Sequence, residues 1–271
     1  MATEVHHYMY EEFRHVHTLY TAGCDFRGWW KLSMVLDAIQ TTADRHNELL
    51  KCSRTDIREQ GLTWVLFKTV LHIARYPRIG ERVIVRTYTK APCMRFIPRY
   101  YEMTYEDGRQ MALAGSFWVL LDIKTKKPAL PKEKSIVLPQ NQDLPALVNL
   151  LSRPMEIEGK KIVSDYQPMC CDIDVNGHVN NTRYVDWLYN ALGFKILQEY
   201  AIASAVIEYH RETLPGHTLR NCLLLDGNSF SFRGYEDSAM NFSLTGMLKD
   251  RTMMEASSSC ENHGKTMEIK K

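Results

Sequence analysis

The sequence predicts an α+β fold made of two copies of one unit: a strand, a long helix, then a mainly antiparallel sheet. Three observations carry this. Stretches that alternate and are rich in β-branched and aromatic residues recur along the chain, separated by turn signals. One long amphipathic helical stretch interrupts them in each half. The element order of the second half then repeats that of the first. The chain has 271 residues, 45% of them hydrophobic and 24% charged, which is ample for a core. The expected units are residues 1–150 and 151–271.

In chain order, Glu11 to Ala22 reads as a strand. After Gly28, Trp30, Met34, Ala38 and Thr42 recur every fourth residue. Val35, Ile39, His46 and Leu49 or Leu50 widen the same face, which predicts a helix buried against a sheet. Thr63 to Ile73 is a strand. The turn Tyr76 to Gly80 leads into a strand over Arg82 to Thr89. Arg99 to Tyr105 and Gln110 to Asp122 form a hairpin about Asp107-Gly108. Lys124 to Arg153 holds four prolines and a lysine cluster, so it reads as a linker or wrapping segment with a short helix near Leu147 to Leu151.

The second unit follows the same order. Lys161 to Cys171 is a strand, Thr182 to Tyr200 a helix, and Ser204 to Thr213 a strand. After the turn at Leu214-Pro215-Gly216, strands are expected at Thr218 to Leu225, Phe230 to Tyr235, Met240 to Leu248 and Thr252 to Cys260. Cys24-Asp25-Phe26 matches Cys171-Asp172-Ile173, and Pro77 matches Pro215, as marks of the repeat.

Composition narrows the function. A net charge of +2 is too small for a dedicated nucleic-acid binder. No apolar run approaches the roughly 18 to 20 residues of a membrane span. Met1 to Tyr10 carries Glu4, His6 and His7 where a secretion signal needs basic and then apolar residues. Seven cysteines with no CxxC spacing read as reduced thiols, and the expected location is cytoplasmic. Cys170-Cys171 reads as packing. His15-Val16-His17 has no third ligand motif, so no metal is expected. Phosphate-binding, dinucleotide and serine-hydrolase signatures are missing.

The densest polar constellation runs from Asp172 to Asn181, where a strand gives way to a helix. Two readings fit it. One is a turn of ordinary turn formers with Asn181 as a cap. The other is a loop that sets Asp174, Asn176 and His178 beside a helix N-terminus, whose free N–H groups suit a developing oxyanion. A second candidate is Ile207 to Thr213. Its alternation puts Glu208, His210 and Glu212 on one strand face, and one carboxylate there suits a general base.

The stretch DIDVNGHVNNTRYVDW, from Asp172 to Trp187, resembles the signature of acyl-[acyl-carrier-protein] thioesterases of plants and bacteria. IEYHRET resembles that family's second signature. The segments LTWVLFKTVLHIARYPRIGERV and ALAGSFWVLLDIKTKKPALPKE resemble its N-terminal domain. The resemblance spans residues 8 to 260. It implies a tandem (double) hotdog fold, each unit a sheet wrapped around a central helix. It implies hydrolysis of acyl-carrier-protein thioesters to free fatty acid and holo carrier protein, with no cofactor.

Carried over by motif, the catalytic residues are Asp174, Asn176 and His178 in the loop and Glu212 on the following strand, with Glu208 not separated from it by the pattern alone. Plant members carry a cysteine after the matching glutamate. Here that position is Thr213, which argues for a carboxylate activating water. The first unit's loop, Asp25 to Trp29, lacks this equipment. That unit is expected to hold the acyl tail, with Trp29, Trp30, Met34, Trp64 and Met94 suiting an apolar pocket. The partner implied is an acidic acyl carrier protein, with Arg95, Arg99 and the lysine run as its docking rim. Monomer and homodimer both fit. An acyl-CoA thioesterase, a non-catalytic acyl-thioester binding module, and a hydratase or dehydratase on the same fold are the alternatives.

Overall fold

The computed structural model describes residues 11–134 and 136–256. The first unit comprises β1 (Glu12–Thr18), α1 (Leu32–Leu49), the short α2 (Arg54–Glu59), β2 (Leu62–Ile73), β3 (Arg82–Thr89), β4 (Ile97–Tyr105), β5 (Gln110–Asp122) and a two-residue β6 (Pro128–Ala129). The second comprises β7 (Lys160–Tyr166), α3 (Arg183–Glu199), β8 (Tyr200–Tyr209), β9 (Leu219–Asp226), β10 (Ser229–Glu236), β11 (Ala239–Asp250) and α4 (Arg251–Ala256).

All strands join one antiparallel sheet in the order β1-β3-β4-β5-β2-β8-β11-β10-β9-β7, with β6 on β5. The order reads the same from both ends: β1 answers β7, α1 answers α3, and β2 answers β8. The two units meet where β2 pairs with β8, from Lys68 opposite Glu208 to His72 opposite Ser204. Each long helix lies on one face of its half. Val35, Leu36, Ile39 and Ala43 of α1 pack on Val83, Val85, Tyr101 and Met103. Tyr184, Val185 and Leu188 of α3 pack on Phe230, Phe232, Phe242 and Leu244. Alternation explains this, since every second strand residue points at the helix. The arrangement is the double hotdog.

The linker departs from expectation. No helix forms near Leu147 to Leu151. Val148 and Leu150 instead run without regular structure over the sheet face opposite the helix, against Tyr100 and Phe117. Gly115 allows this approach, because a Cβ there would come within 2.9 Å of Val148 Cγ2. Tyr88 donates to Pro145 O (2.7 Å) and Thr89 Oγ1 to Pro139 O (2.6 Å). Lys68, paired with Glu208 at 3.0 Å, also donates to Ser152 O.

Several boundaries also move. The strand expected to reach Ala22 stops at Thr18, and the one expected to reach Cys171 stops at Tyr166. Each is followed by a 3₁₀ turn, at Thr21–Gly23 and Cys170–Asp172. Cys170 and Cys171 are exposed on that turn, so they do not pack. β8 ends at Tyr209, not Thr213, because the amides of both His210 and Arg211 turn to Asn241 O. In place of a strand from Thr252, Asp250 Oδ1 accepts the Thr252 N–H (2.8 Å) and starts α4; residues 257–260 lie outside the described residues. α3 is broken at Gly193 (φ 77°, ψ 164°).

Candidate active site

The loop from Ile173 to Val179 is a pinched turn, closed by a bridge between those two residues. Asp174 N donates to His178 O (2.8 Å) and Gly177 N to Asp174 O (3.0 Å). Gly177 sits at φ 80°, a conformation glycine adopts without a Cβ penalty. The Asp174 carboxylate organises the rest. Oδ1 accepts the backbone amides of Asn176 (2.7 Å) and His178 (3.4 Å), and Oδ2 accepts Asn176 Nδ2 (3.1 Å). Asn176 Oδ1 accepts from Arg54 Nη2 (2.8 Å), which reaches across from the first unit. A capping box at Ser53 and Asp56 starts α2 and so places Arg54. Arg54 has no local motif, and only the fold brings it to this loop.

A second segment closes on the first. Val179 N donates to Thr213 O (2.9 Å), which sets Glu212 beside His178, with His178 Nε2 3.4 Å from Glu212 Oε2. Thr213 is fully buried, and its hydroxyl accepts from Tyr184 (3.1 Å) and Asn241 Nδ2 (3.2 Å). Burial pushes the Tyr184 hydroxyl up to about 12, which keeps it a donor. Thr213 is therefore an anchor beneath the cleft. The cap expected of Asn181 does not form: the N-cap position is Thr182, with no side-chain cap bond, and in the turn before it Asn180 Oδ1 accepts from Thr182 N (2.9 Å). Asn181 Oδ1 instead accepts from Gln40 of α1 (2.9 Å).

Asp174, Asn176, His178 and Glu212 all line one cleft of about 480 Å³. Its opposite wall is the start of β2, from Thr63 to Leu66, with Leu121 and Ile123. The cleft thus lies between the two units. The two glutamates separate: Glu212 lines the cleft, whereas Glu208 is held by Lys68 at the unit junction.

The docking rim needs correction at Arg99. Arg95 is exposed, with its guanidinium over Phe96, and does not line the cleft. Arg99 is buried, donating to Asn47 Oδ1 (2.5 Å) and lying 2.9 Å from His46 Nδ1, with its pKa lowered by desolvation. A guanidinium so enclosed cannot meet a partner protein. The cations on the cleft wall are Arg58, Lys126 and Arg211. His15 and His17 bond to each other (3.1 Å), and His17 also to Thr42 (3.0 Å).

The first unit carries the same loop. Cys24 bridges Trp30 as Ile173 bridges Val179. This aligns Asp25 with Asp174, two places beyond the Asp172 that the sequence match selects. Asp172 instead ties down the turn before the loop, where its Oδ2 accepts from Tyr166 Oη (2.9 Å) and Met169 N (2.8 Å).

The chain is similar to known proteins in sequence and in fold. The acyl-ACP thioesterase N-terminal domain model matches residues 11–134, and the C-terminal domain model residues 155–251. A chloroplastic palmitoyl-acyl carrier protein thioesterase of Cuphea hookeriana is 27% identical over 67% of this chain and 47% of its own length. A dodecanoyl-[acyl-carrier-protein] hydrolase of Cinnamomum camphora is 26% identical over 64% of the chain and 47% of its own length. The chain therefore spans about half the length of these relatives. The crystal structure of an acyl-ACP thioesterase from Bacteroides thetaiotaomicron superposes with a TM-score of 0.80 at 20% identity, covering 88% of this chain and 98% of the other. The 12:0-ACP thioesterase of Umbellularia californica gives 0.75 at 19%, covering 89% and 98%. The folds agree, both domain models match in order, and the chain belongs to the acyl-ACP thioesterase family.

Proposed function

We propose that this chain hydrolyses the thioester of an acyl carrier protein, releasing a free fatty acid and the holo carrier. The supporting observation is the His178–Glu212 pair, 3.4 Å apart on a cleft whose loop is ordered by Asp174. In this reading Glu212 takes a proton from water as the water oxygen bonds to the thioester carbon. The carbonyl electrons move to oxygen, whose negative charge the positive N-terminal end of the α3 dipole favours. The intermediate collapses, the carbon–sulfur bond breaks, and the departing sulfur receives the proton from Glu212. Asn176 and His178 position water and thioester. Asp174 holds the loop that carries them.

Arg58, Lys126 and Arg211 line the cleft, and Arg54 reaches its loop. In our reading they replace Arg95 and Arg99 as the contact for an acidic carrier. The six described cysteines are free thiols, which suits a reducing compartment, and we favour the cytoplasm. The β2–β8 junction supplies within one chain the contact a lone unit would need a second copy to make. A monomer is the working form we infer.

The test is thiol release from acyl-carrier-protein and acyl-CoA substrates of graded length. Turnover on the carrier-protein forms well above that on CoA supports the proposal. Equal or greater turnover on CoA would move the substrate assignment, and binding without turnover would end the hydrolase reading.

A further inference from the structure

Of the five aromatic and methionine side chains expected to line an acyl pocket, four do not border the cleft. Trp29 and Trp30 are core, Met34 is half-buried against that core, and Met94 is 83% exposed. Trp64 is different. It lines the cleft beside Glu212, and it also walls a second cavity inside the first unit, of about 20 Å³. That space holds no more than about one water. Its remaining walls include Ile97, Trp118 and Leu138, with Asn47 and Arg99 at a polar side. The two spaces share Trp64 and no other residue. The indole is held by its Nε1 donating to Cys52 O (3.0 Å) and by packing against the cluster of Ile57, Leu62 and Leu120.

We propose that Trp64 is the floor of the acyl subsite and sets the longest chain the cleft accepts. The inference rests on the acyl-thioester reading above. The cleft of about 480 Å³ must also take the thioester and the end of the pantetheine arm. The substrate class assigned is therefore short- to medium-chain acyl thioesters. Removing the indole joins the two spaces, and a longer chain then meets Ile97, Trp118 and Leu138. Each methylene newly buried raises kcat/KM by about fourfold, and two carbons by roughly fifteenfold.

The experiment compares hydrolysis of acyl-carrier-protein substrates, stepped by two carbons, by wild type, Trp64→Ala and Trp64→Leu. The expected result is a length optimum moved to longer chains, with Leu138→Phe in the Trp64→Ala background moving it back. Folded variants that lose activity equally at every length, with the optimum fixed, overturn the assignment. Losing an indole costs stability, so melting curves accompany the kinetics. Should Trp64→Ala not fold, Trp64→Leu and Trp64→Phe carry the same comparison. If wild type hydrolyses none of the substrates, the functional proposal fails and this one with it. If it hydrolyses them but the optimum does not move, only the role of Trp64 fails.

Discussion

Residues 24–30 and residues 173–179 follow one backbone course in two different settings. Asp25 N reaches Trp29 O at 2.8 Å, as Asp174 N reaches His178 O at 2.8 Å. Gly28 and Gly177 both hold positive φ, at 75° and 80°. Asp25 Oδ1 accepts the amides of Arg27 (2.9 Å) and Trp29 (3.2 Å), as Asp174 does for Asn176 and His178. Trp30 N donates to Pro77 O just as Val179 N donates to Thr213 O, both at 2.9 Å. The side chains then part company. Where His178 lies beside Glu212 on the cleft wall, Trp29 stacks on Tyr76, centroids 5.5 Å apart, inside the core. Where Asn176 meets Arg54, Arg27 turns inward to Asp25 and to the carbonyls of Leu197 and Tyr200 at the end of α3. The aspartate therefore belongs to the loop. It does the same work in the copy without a carboxylate–imidazole pair, which supports the positioning part proposed for it at the cleft.

The comparison is tested most severely at Glu212. Glu212→Gln is expected to lower kcat by ~10²–10⁴ through loss of the base. Its melting temperature should stay close to wild type, since the side chain is 59% exposed. An unchanged rate would remove Glu212 from the chemistry. Trp29→Ala should do the reverse, costing about 3–5 kcal/mol of stability with kcat/KM per folded molecule retained. A selective loss of rate there would mean that the first loop takes part in turnover.

Asp25→Ala and Asp174→Ala each strip two amides of their acceptor. Asp25→Ala should cost about 3–5 kcal/mol in denaturant unfolding, because it also leaves the buried Arg27 guanidinium unpaired, and Asp174→Ala about 1–3 kcal/mol. Only the second should slow hydrolysis, and Asp174→Asn, which keeps an acceptor oxygen, should recover most of the rate. A slowdown in Asp174→Asn as deep as in Glu212→Gln would make Asp174 a proton carrier. Thr213→Val leaves Tyr184 and Asn241 without their shared acceptor, a loss of about 1–3 kcal/mol. Thr213→Ser should restore it.

A further prediction concerns pH. Burial lowers His17 to about 4 from its ordinary 6.5. The unfolded chain then binds more protons between those values, so stability is full above about 6.5 and falls as the pH drops toward 4. Melting temperature followed over that window should flatten in His17→Gln. An unchanged slope would place the acid sensitivity elsewhere.

Alternation and turn signals sufficed for β3 and β5, whose ends match expectation, and the double-unit order followed from them. The cleft residues Asp174, Asn176, His178 and Glu212 were legible by motif. The repeat register was not, because Cys-Asp strings drew Asp25 onto Asp172 while the backbone bonds pair it with Asp174. Arg99 was read as surface on charge alone. Yet it lies between buried Ile97 and Tyr101 at a spacing of two, so the strand period already turned it inward. Trp64 was expected in an apolar pocket for its aromatic side chain alone, whereas Arg54 beside the cleft loop and the break at Gly193 had no local signal. Arg54 meets Asn176, 122 residues further on. The helix end just past Gly193 is held by Arg27, 170 residues before Leu197.

The junction of β2 with β8 also governs how far the two units can diverge. A strand edge that pairs with its counterpart about a local twofold is an edge on which two separate copies can meet. Two identical copies must then carry identical clefts, and any substitution enters both. Joining the copies in one chain removes that constraint. One loop is then free to exchange chemistry for packing, while its sibling keeps a carboxylate open to water. The molecule is symmetric in its hydrogen-bonded framework and asymmetric in the side chains its two loops carry. Titration with a tight, unreactive thioester mimic should accordingly saturate at one equivalent per chain.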